Sequence, residues 1–197
     1  MSITTSILGI LLVVGGYLLG SLLPADYFVR RKTGKTPEEL NDNPGGMGTV
    51  RRAGIGPGVA TIIFDMGKGI LPVAIAVRLA LPEAWVALAA AAPVVGHSWP
   101  VWRGFKGGRG MAAATGASWY LGWPLMPIAY IAAALAGLLT FRWVPAVGLI
   151  AYPLGIAWMI ADGYPADRIW AIGLLGVVLV VRELPWLEGH DPQRRQA

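Results

Sequence analysis

The chain has 197 residues, of which 55% are apolar and only 14% charged, with a mean hydropathy of +0.58 and a net charge of +5. A soluble domain carries about a quarter charged residues, so this composition points to a bilayer and away from a large aqueous core. With no cysteine, and with His97 and His190 as the only histidines, it leaves no thiolate chemistry or disulfide framework and disfavours a zinc site of the usual kind.

Seven apolar segments can be drawn in chain order, over residues 3–23, 58–81, 85–96, 110–122, 125–141, 144–161 and 169–181. The first lacks a basic leader and a small-residue cleavage site, so it is expected to be a spanning helix and not a removable signal. A crossing takes about 20 helical residues, which the first two segments supply. The third and fourth are short. With the glycine-rich link between them they make either two full crossings or a kinked or partly re-entrant pair, since irregular backbone at that depth survives only where protein or water satisfies it. The expected class is therefore an all-α, polytopic membrane protein of one domain over residues 1–197, with about seven transmembrane helices. The nine tryptophans and fifteen prolines suit interfacial anchoring and spanning helices.

Charge sets the expected orientation. Arg30, Arg31, Lys32, Lys35, Arg51 and Arg52 lie in residues 24–57, and Arg103, Lys106 and Arg109 lie in residues 97–110. With the N-terminus outside, both loops, the Arg142 turn and the Arg194–Arg195 tail are cytoplasmic, whereas Glu83, Asp162, Asp167 and Arg168 fall opposite. The net charge is then topology aided by anionic head groups, and no nucleic-acid partner is expected. No internal repeat is visible, which weighs against a duplicated transporter.

The stretch HSWPVWRGFKGGRG at 97–110 combines glycines with three cations between apolar segments. Glycine lets successive N–H groups converge on an anion, so a phosphate-headed substrate, with or without an apolar tail, is expected at a membrane face. NDNPGGMGTVRRAG at 41–54 is a second glycine-rich element on the same side, either a ligand loop or an ordinary turn. Asp65 and Lys68 share one face of the second segment. They are either an ion pair holding helices together or a phosphate-directed lysine with its orienting carboxylate. His97 is either a hydrogen-bonded structural group or, if functional, a general base or loop anchor. No Ser-His-Asp pattern, HEXXH motif or nucleotide P-loop is present.

Three of these stretches, and the end of the first segment, resemble the acyl-phosphate:glycerol-3-phosphate acyltransferases, the PlsY-type membrane family. GHSWPVWRGFKGGRGMAAATG is similar to the family's G-H-x-F-P-V-F-x-G-F-K-G-G-K-G-x-A-T segment, and FDMGKGILPV to its L-D-x-x-K-G-x-x-P-V segment. YLLGSLLPADY is similar to a first-helix ending G-S-I-P, and NPGG with VRRAG to N-P-G-A-T-N-x-x-R-x-x-G. The likeness is strongest over residues 43–116. It implies seven spanning helices in the bacterial inner membrane and cytoplasm-facing loops. The implied reaction moves an acyl group from acyl phosphate to glycerol 3-phosphate, giving lysophosphatidic acid, with membrane lipid as the surroundings and no cofactor or metal. Carried over by position, it implies catalytic roles for His97, Lys106 and Asp65. It implies phosphate-binding roles for Lys68, Arg51, Asn43, Gly107, Gly108, Arg109 and Gly110. Arg109 stands where the family has lysine and prefers bidentate geometry.

Four positions depart from the pattern. Asn41 replaces a serine, Gly48 an asparagine, and Val181 and Leu184 the histidine and asparagine of an H-R-x-N signature. The family's upstream arginine aligns near Pro37, beside Glu38 and Glu39. These departures keep a second reading open: a divergent paralogue that changed its acceptor, or lost catalysis and binds a phosphorylated lipid or a partner. A small anion transporter needs a polar route that the last three segments do not offer.

Overall fold

The computed structural model describes residues 2–140 and 145–187. Its helices are α1 (Ile3–Gly20), α2 (Pro24–Thr33), α3 (Gly46–Ala53), α4 (Ile55–Arg78), α5 (Glu83–Ser98), α6 (Met111–Leu121), α7 (Leu125–Thr140), α8 (Pro145–Ala161) and α9 (Ala166–Leu187). No strand occurs among the described residues. Local chemistry sets several ends. The Ser2 side chain accepts the Thr5 N–H at 3.1 Å and caps α1. Pro24 opens α2, where its missing N–H costs nothing, and Gly34 closes it at φ 76°.

Polarity is distributed inside out. Ile3, Leu11, Ile55, Ile63 and Trp170 are exposed, whereas Asp65, Lys68, His97, Ser98 and Ser118 are buried. Lipid tails favour that arrangement, because they solvate apolar side chains and drive charges inward toward partners. Ile3–Thr33, Ile55–Arg78 and Glu83–Arg103 are each long and apolar enough to cross a membrane.

Helix packing relies on small residues. α1 lies on α5, α4 on α3, α5 and α6, α5 on α9, and α8 on α7 and α9. A Cβ added at Gly69 would overlap the Ala113 carbonyl oxygen, and one at Gly116 the Met66 carbonyl oxygen. α4 and α6 therefore meet backbone to backbone, as small residues permit in membranes. Gly20 and Gly96 do the same for α1 and α5, against the Pro93 and Tyr17 carbonyls.

The expected segments correspond to α1 and α4–α9, with differences that matter for the site. The third segment, expected to be short, runs two residues past Gly96 and takes His97 into α5. The fourth remains short as the 11-residue α6, entered through the non-helical link at 104–110. The last segment does not stop at Val181: α9 continues to Leu187 and makes Arg182 and Glu183 helical. The loop at 24–57 holds two short helices, α2 and α3. Arg142 and the Arg194–Arg195 tail lie outside the described residues.

Candidate active site

Three buried side chains form the base of the site. Asp65 and Lys68 project from successive turns of α4, and His97 from the last turn of α5. The Lys68 ammonium lies 2.8 Å from Asp65 Oδ1 and 2.9 Å from His97 Nδ1, and it donates to the carbonyl oxygens of Gly20 and Leu22 at 2.9 Å each. An ammonium has three donors, so four acceptors saturate it. Gly20 is the last residue of α1 and Leu22 lies just beyond it, at a helix C-terminus where C=O groups lack intrahelical partners and a cation is favoured. The phosphate-binding expectation for Lys68 does not fit this geometry. Its charge is spent joining α1, α4 and α5, with Asp65 as counter-ion. His97 Nδ1 also lies 3.4 Å from Asp65 Oδ1, so the imidazole edge sits between the ammonium and the carboxylate.

The glycine loop lies directly on this base. The Gly108 N–H donates to the His97 carbonyl at 3.0 Å. A Cβ at Gly107 would overlap that same carbonyl, and one at Gly108 the imidazole Nε2. Glycine is required here for close approach to His97, and Gly110 takes φ 74° to start α6. On the loop's other side, Arg182 of α9 donates Nε to the Gly108 carbonyl at 2.9 Å and Nη2 to the Gly107 carbonyl at 3.0 Å. Arg109 Nε lies 3.6 Å from Glu183 Oε1.

Two cavities open beside the loop and meet at Asn43. The smaller, about 240 Å³, is bounded by Gly45–Gly48 at the N-terminus of α3 and Gly110–Ala112 at the N-terminus of α6. Asn43, Arg51 and Arg109 line it, and Asp65 and His97 form part of its wall. Neither helix has a side-chain N-cap. Two sets of first-turn N–H groups and two positive dipole ends therefore face one volume, an arrangement that favours an anion.

The larger cavity, about 400 Å³, is lined by Asn41, Arg103, Lys106, Gly107 and Arg182 together with the carboxylates of Glu38 and Asp42. Lys106 is 74% exposed, with its ammonium 3.6 Å from Glu38 Oε1, and Arg103 Nη2 lies 3.2 Å from Glu38 Oε2. Asp42 receives Arg51 Nε at 3.3 Å and Arg52 Nε at 2.9 Å. Burial pushes the Asp42 carboxyl up, but the hydrogen bonds from Arg51, Arg52 and the Asn43 N–H outweigh it and hold the group below its ordinary value.

The site residues expected from sequence are thus divided between two cavities. Arg51, Asn43, Arg109, Gly110, Asp65 and His97 border the smaller cavity, Lys106 and Gly107 border the larger, and Gly108 packs on His97. Of the divergent positions, Asn41 faces the larger cavity and Gly48 the smaller, whereas Val181 is half exposed. The Leu184 side chain lies outside the described ones. Sequence reasoning missed Glu38, Asp42, Arg182 and Glu183 as site residues. Asp42 had a legible signal in the two arginines nine and ten residues later. Arg182 had one in its place inside the H-R-x-N alignment.

The profile of the family described as glycerol-3-phosphate acyltransferase matches residues 10–188. Glycerol-3-phosphate acyltransferase 1 of Dehalococcoides mccartyi is 43% identical over 108 residues, 54% of this chain and 52% of that protein. Glycerol-3-phosphate acyltransferase of Halalkalibacterium halodurans is 37% identical over 136 residues, covering 67% and 62%. That of Salmonella arizonae is 42% identical over 115 residues, covering 58% and 56%. The matched stretch thus spans about half to three fifths of these curated relatives. Two crystal structures of PlsY (YgiH), an integral membrane glycerol 3-phosphate acyltransferase, share the fold. The glycerol 3-phosphate form gives a TM-score of 0.75 at 24% identity, over 93% of this chain and 94% of that one. The lysophosphatidic acid form gives 0.77 at 25%, over 93% of both. With the profile covering residues 10–188 of the 197 and the PlsY fold shared over 93% of the chain, the chain belongs to the glycerol-3-phosphate acyltransferase family.

Proposed function

We propose that this chain transfers an acyl group from acyl phosphate to a hydroxyl of glycerol 3-phosphate, giving lysophosphatidic acid and inorganic phosphate for phospholipid synthesis. The observation that carries the reading is the convergence of two uncapped helix N-termini, α3 and α6, on one cavity with Arg51 and Arg109. Such a site stabilises a phosphate in the ground state and gains more as negative charge builds on a leaving phosphate. The acceptor hydroxyl oxygen bonds to the acyl carbon, the bond from that carbon to the phosphate oxygen breaks, and the hydroxyl proton ends on a phosphate. His97 Nδ1 and Asp65 are committed to Lys68, which favours the acceptor's own phosphate over either side chain as the group that takes this proton. Lys106 and Arg103, on the adjoining cavity, attract the second anionic substrate and hold it near the first, a proximity effect. Seven crossings, an external N-terminus, a bacterial inner-membrane location and cytoplasmic glycine loops complete the proposal, and the basic loops support them.

The test is direct. Purified protein in detergent, given an acyl phosphate and glycerol 3-phosphate, is expected to release lysophosphatidic acid and inorganic phosphate in equal amounts. Lys106→Ala is expected to raise a substrate KM by about fivefold, the worth of one exposed charge contact, without altering the melting midpoint. No product from the wild-type protein with any acyl-chain length overturns the assignment. A second reading, a changed acceptor, is favoured by Gly48. A Cβ there would overlap the Asn43 carbonyl oxygen, so the family's asparagine does not fit this loop. Acyl transfer to another phosphorylated polyol, with none to glycerol 3-phosphate, would select that reading.

A further inference from the structure

We propose that Arg182 is a positioning residue that sets the orientation of the glycine loop, acting from a helix 74 and 75 residues away in sequence from the carbonyls it holds. The inference rests on the acyl-transfer reading only for its kinetic consequences. The geometry itself is independent of it. A guanidinium is planar and rigid, so donation from Nε and Nη2 to consecutive carbonyls fixes both peptide planes at once. In a trans peptide the C=O of one residue and the N–H of the next point in opposite directions. Holding the Gly107 and Gly108 carbonyls toward α9 therefore turns the Gly108 and Arg109 N–H groups away from it. The Gly108 N–H meets the His97 carbonyl at 3.0 Å, and Arg109 and Gly110 border the smaller cavity.

The electrostatic consequence is as important as the geometric one. Glycine has no side chain to bias its peptide planes; the Gly107 carbonyl keeps the hold of the Gly108 N–H on His97, but without the clasp the Gly108 carbonyl could rotate toward the cavities. A carbonyl dipole turned that way presents its negative end to a phosphate and cancels the benefit of the α6 N-terminus. Arg182 removes the Gly108 oxygen from that choice and adds a second hold on the Gly107 oxygen. The guanidinium also lies over the Trp99 ring, its carbon 5.8 Å from the ring centroid. Glu183, the next residue, lies beside Arg109 on the same side of the loop, so α9 grips it at two points.

The experiment compares wild type with Arg182→Gln, Arg182→Lys and Arg182→Ala, all as full chains in detergent. Arg182→Gln is expected to lower kcat by on the order of tenfold to a hundredfold, the scale of a small misplacement of reacting groups, a larger effect than any rise in acceptor KM from its place on the wall of the larger cavity. Arg182→Lys recovers only part, because a point charge cannot take two carbonyls in fixed planes. Added guanidinium ion restores Arg182→Ala, and ammonium does not, a rescue that a purely packing role would not show. Amide hydrogen exchange over residues 107–111 is expected to speed up in all three variants while that of α4 stays unchanged. Wild-type kcat in Arg182→Gln, or unchanged exchange across the loop, overturns the proposal. If wild type itself forms no product, the acyl-transfer reading fails and exchange alone judges the clasp. If Arg182→Gln does not fold, exchange and guanidinium rescue in Arg182→Lys and Arg182→Ala decide it.

Discussion

Asp65 and Lys68 sit where ionised groups are most expensive, with side chains each 1% exposed. Removing one member of a buried pair leaves the other uncompensated, at a cost of about 3–5 kcal/mol. Asp65→Asn is therefore expected to lower the unfolding midpoint sharply in detergent, and Asp65→Asn combined with Lys68→Met to recover part of the loss. The check is a thermal unfolding series on the single and double variants. A Lys68→Met variant with an unchanged midpoint and a raised KM would instead restore lysine to the role of ligand. The i,i+3 spacing made the pair legible in sequence, and it left two roles open. What separated them was the pair of acceptors at the end of α1 and just past it, the Gly20 and Leu22 carbonyls, 48 and 46 residues away. Backbone carbonyls carry no residue-type signature, so no reading of the chain would have found them. The same limit hid Arg182, whose partners are again main-chain oxygens, and it made the glycines of the loop look purely ligand-directed when two of them exist to clear His97.

At the scale of elements, α6 explains why a short segment suffices. Eleven residues rise about 16 Å, near half of a hydrocarbon core, which is enough to bring the α6 N-terminus to the wall of the smaller cavity. Its position is fixed by contact with α4 through Gly69 and Gly116, where any side chain would strike opposing backbone. Gly69→Val and Gly116→Val are each expected to destabilise by about 1–3 kcal/mol, the usual cost of overpacking, and to widen the α4–α6 gap. Gly67→Val supplies the control, because an added Cβ there meets nothing within 4 Å. Detergent unfolding midpoints for the three variants check this, and equal midpoints for Gly67→Val and Gly69→Val would contradict the close packing. The shortness of α6 and its glycine-rich entry were legible from segment length and composition. The helices α2 and α3 were not, because elements of 10 and 8 residues owe their stability to tertiary packing and carry no long apolar signal.

For the whole molecule, the open question is how many times the chain crosses, and its lack of cysteine makes the answer accessible. Apolar length separated seven segments cleanly, but length alone does not decide whether the short α6 crosses or enters and returns. Parity decides it. If α1, α4, α5, α6, α7 and α8 all cross, the turn after α8 lies on the same side as the N-terminus; if α6 enters and returns, it lies opposite. Single cysteines at Thr4, Lys35 and Asp162 report each side without background. Retention of basic loops in the cytoplasm predicts that Thr4→Cys and Asp162→Cys react with a membrane-impermeant maleimide in intact cells. Lys35→Cys, amid the cations of residues 30–35, is expected to react only after permeabilisation. Labelling of Lys35→Cys in intact cells reverses the orientation and moves both cavities to the outer face, where a cytoplasmic supply of phosphorylated substrates would not reach them. Labelling of Thr4→Cys but not Asp162→Cys keeps the orientation of the N-terminal half and removes one crossing, with α6 the element whose length makes it the one to lose.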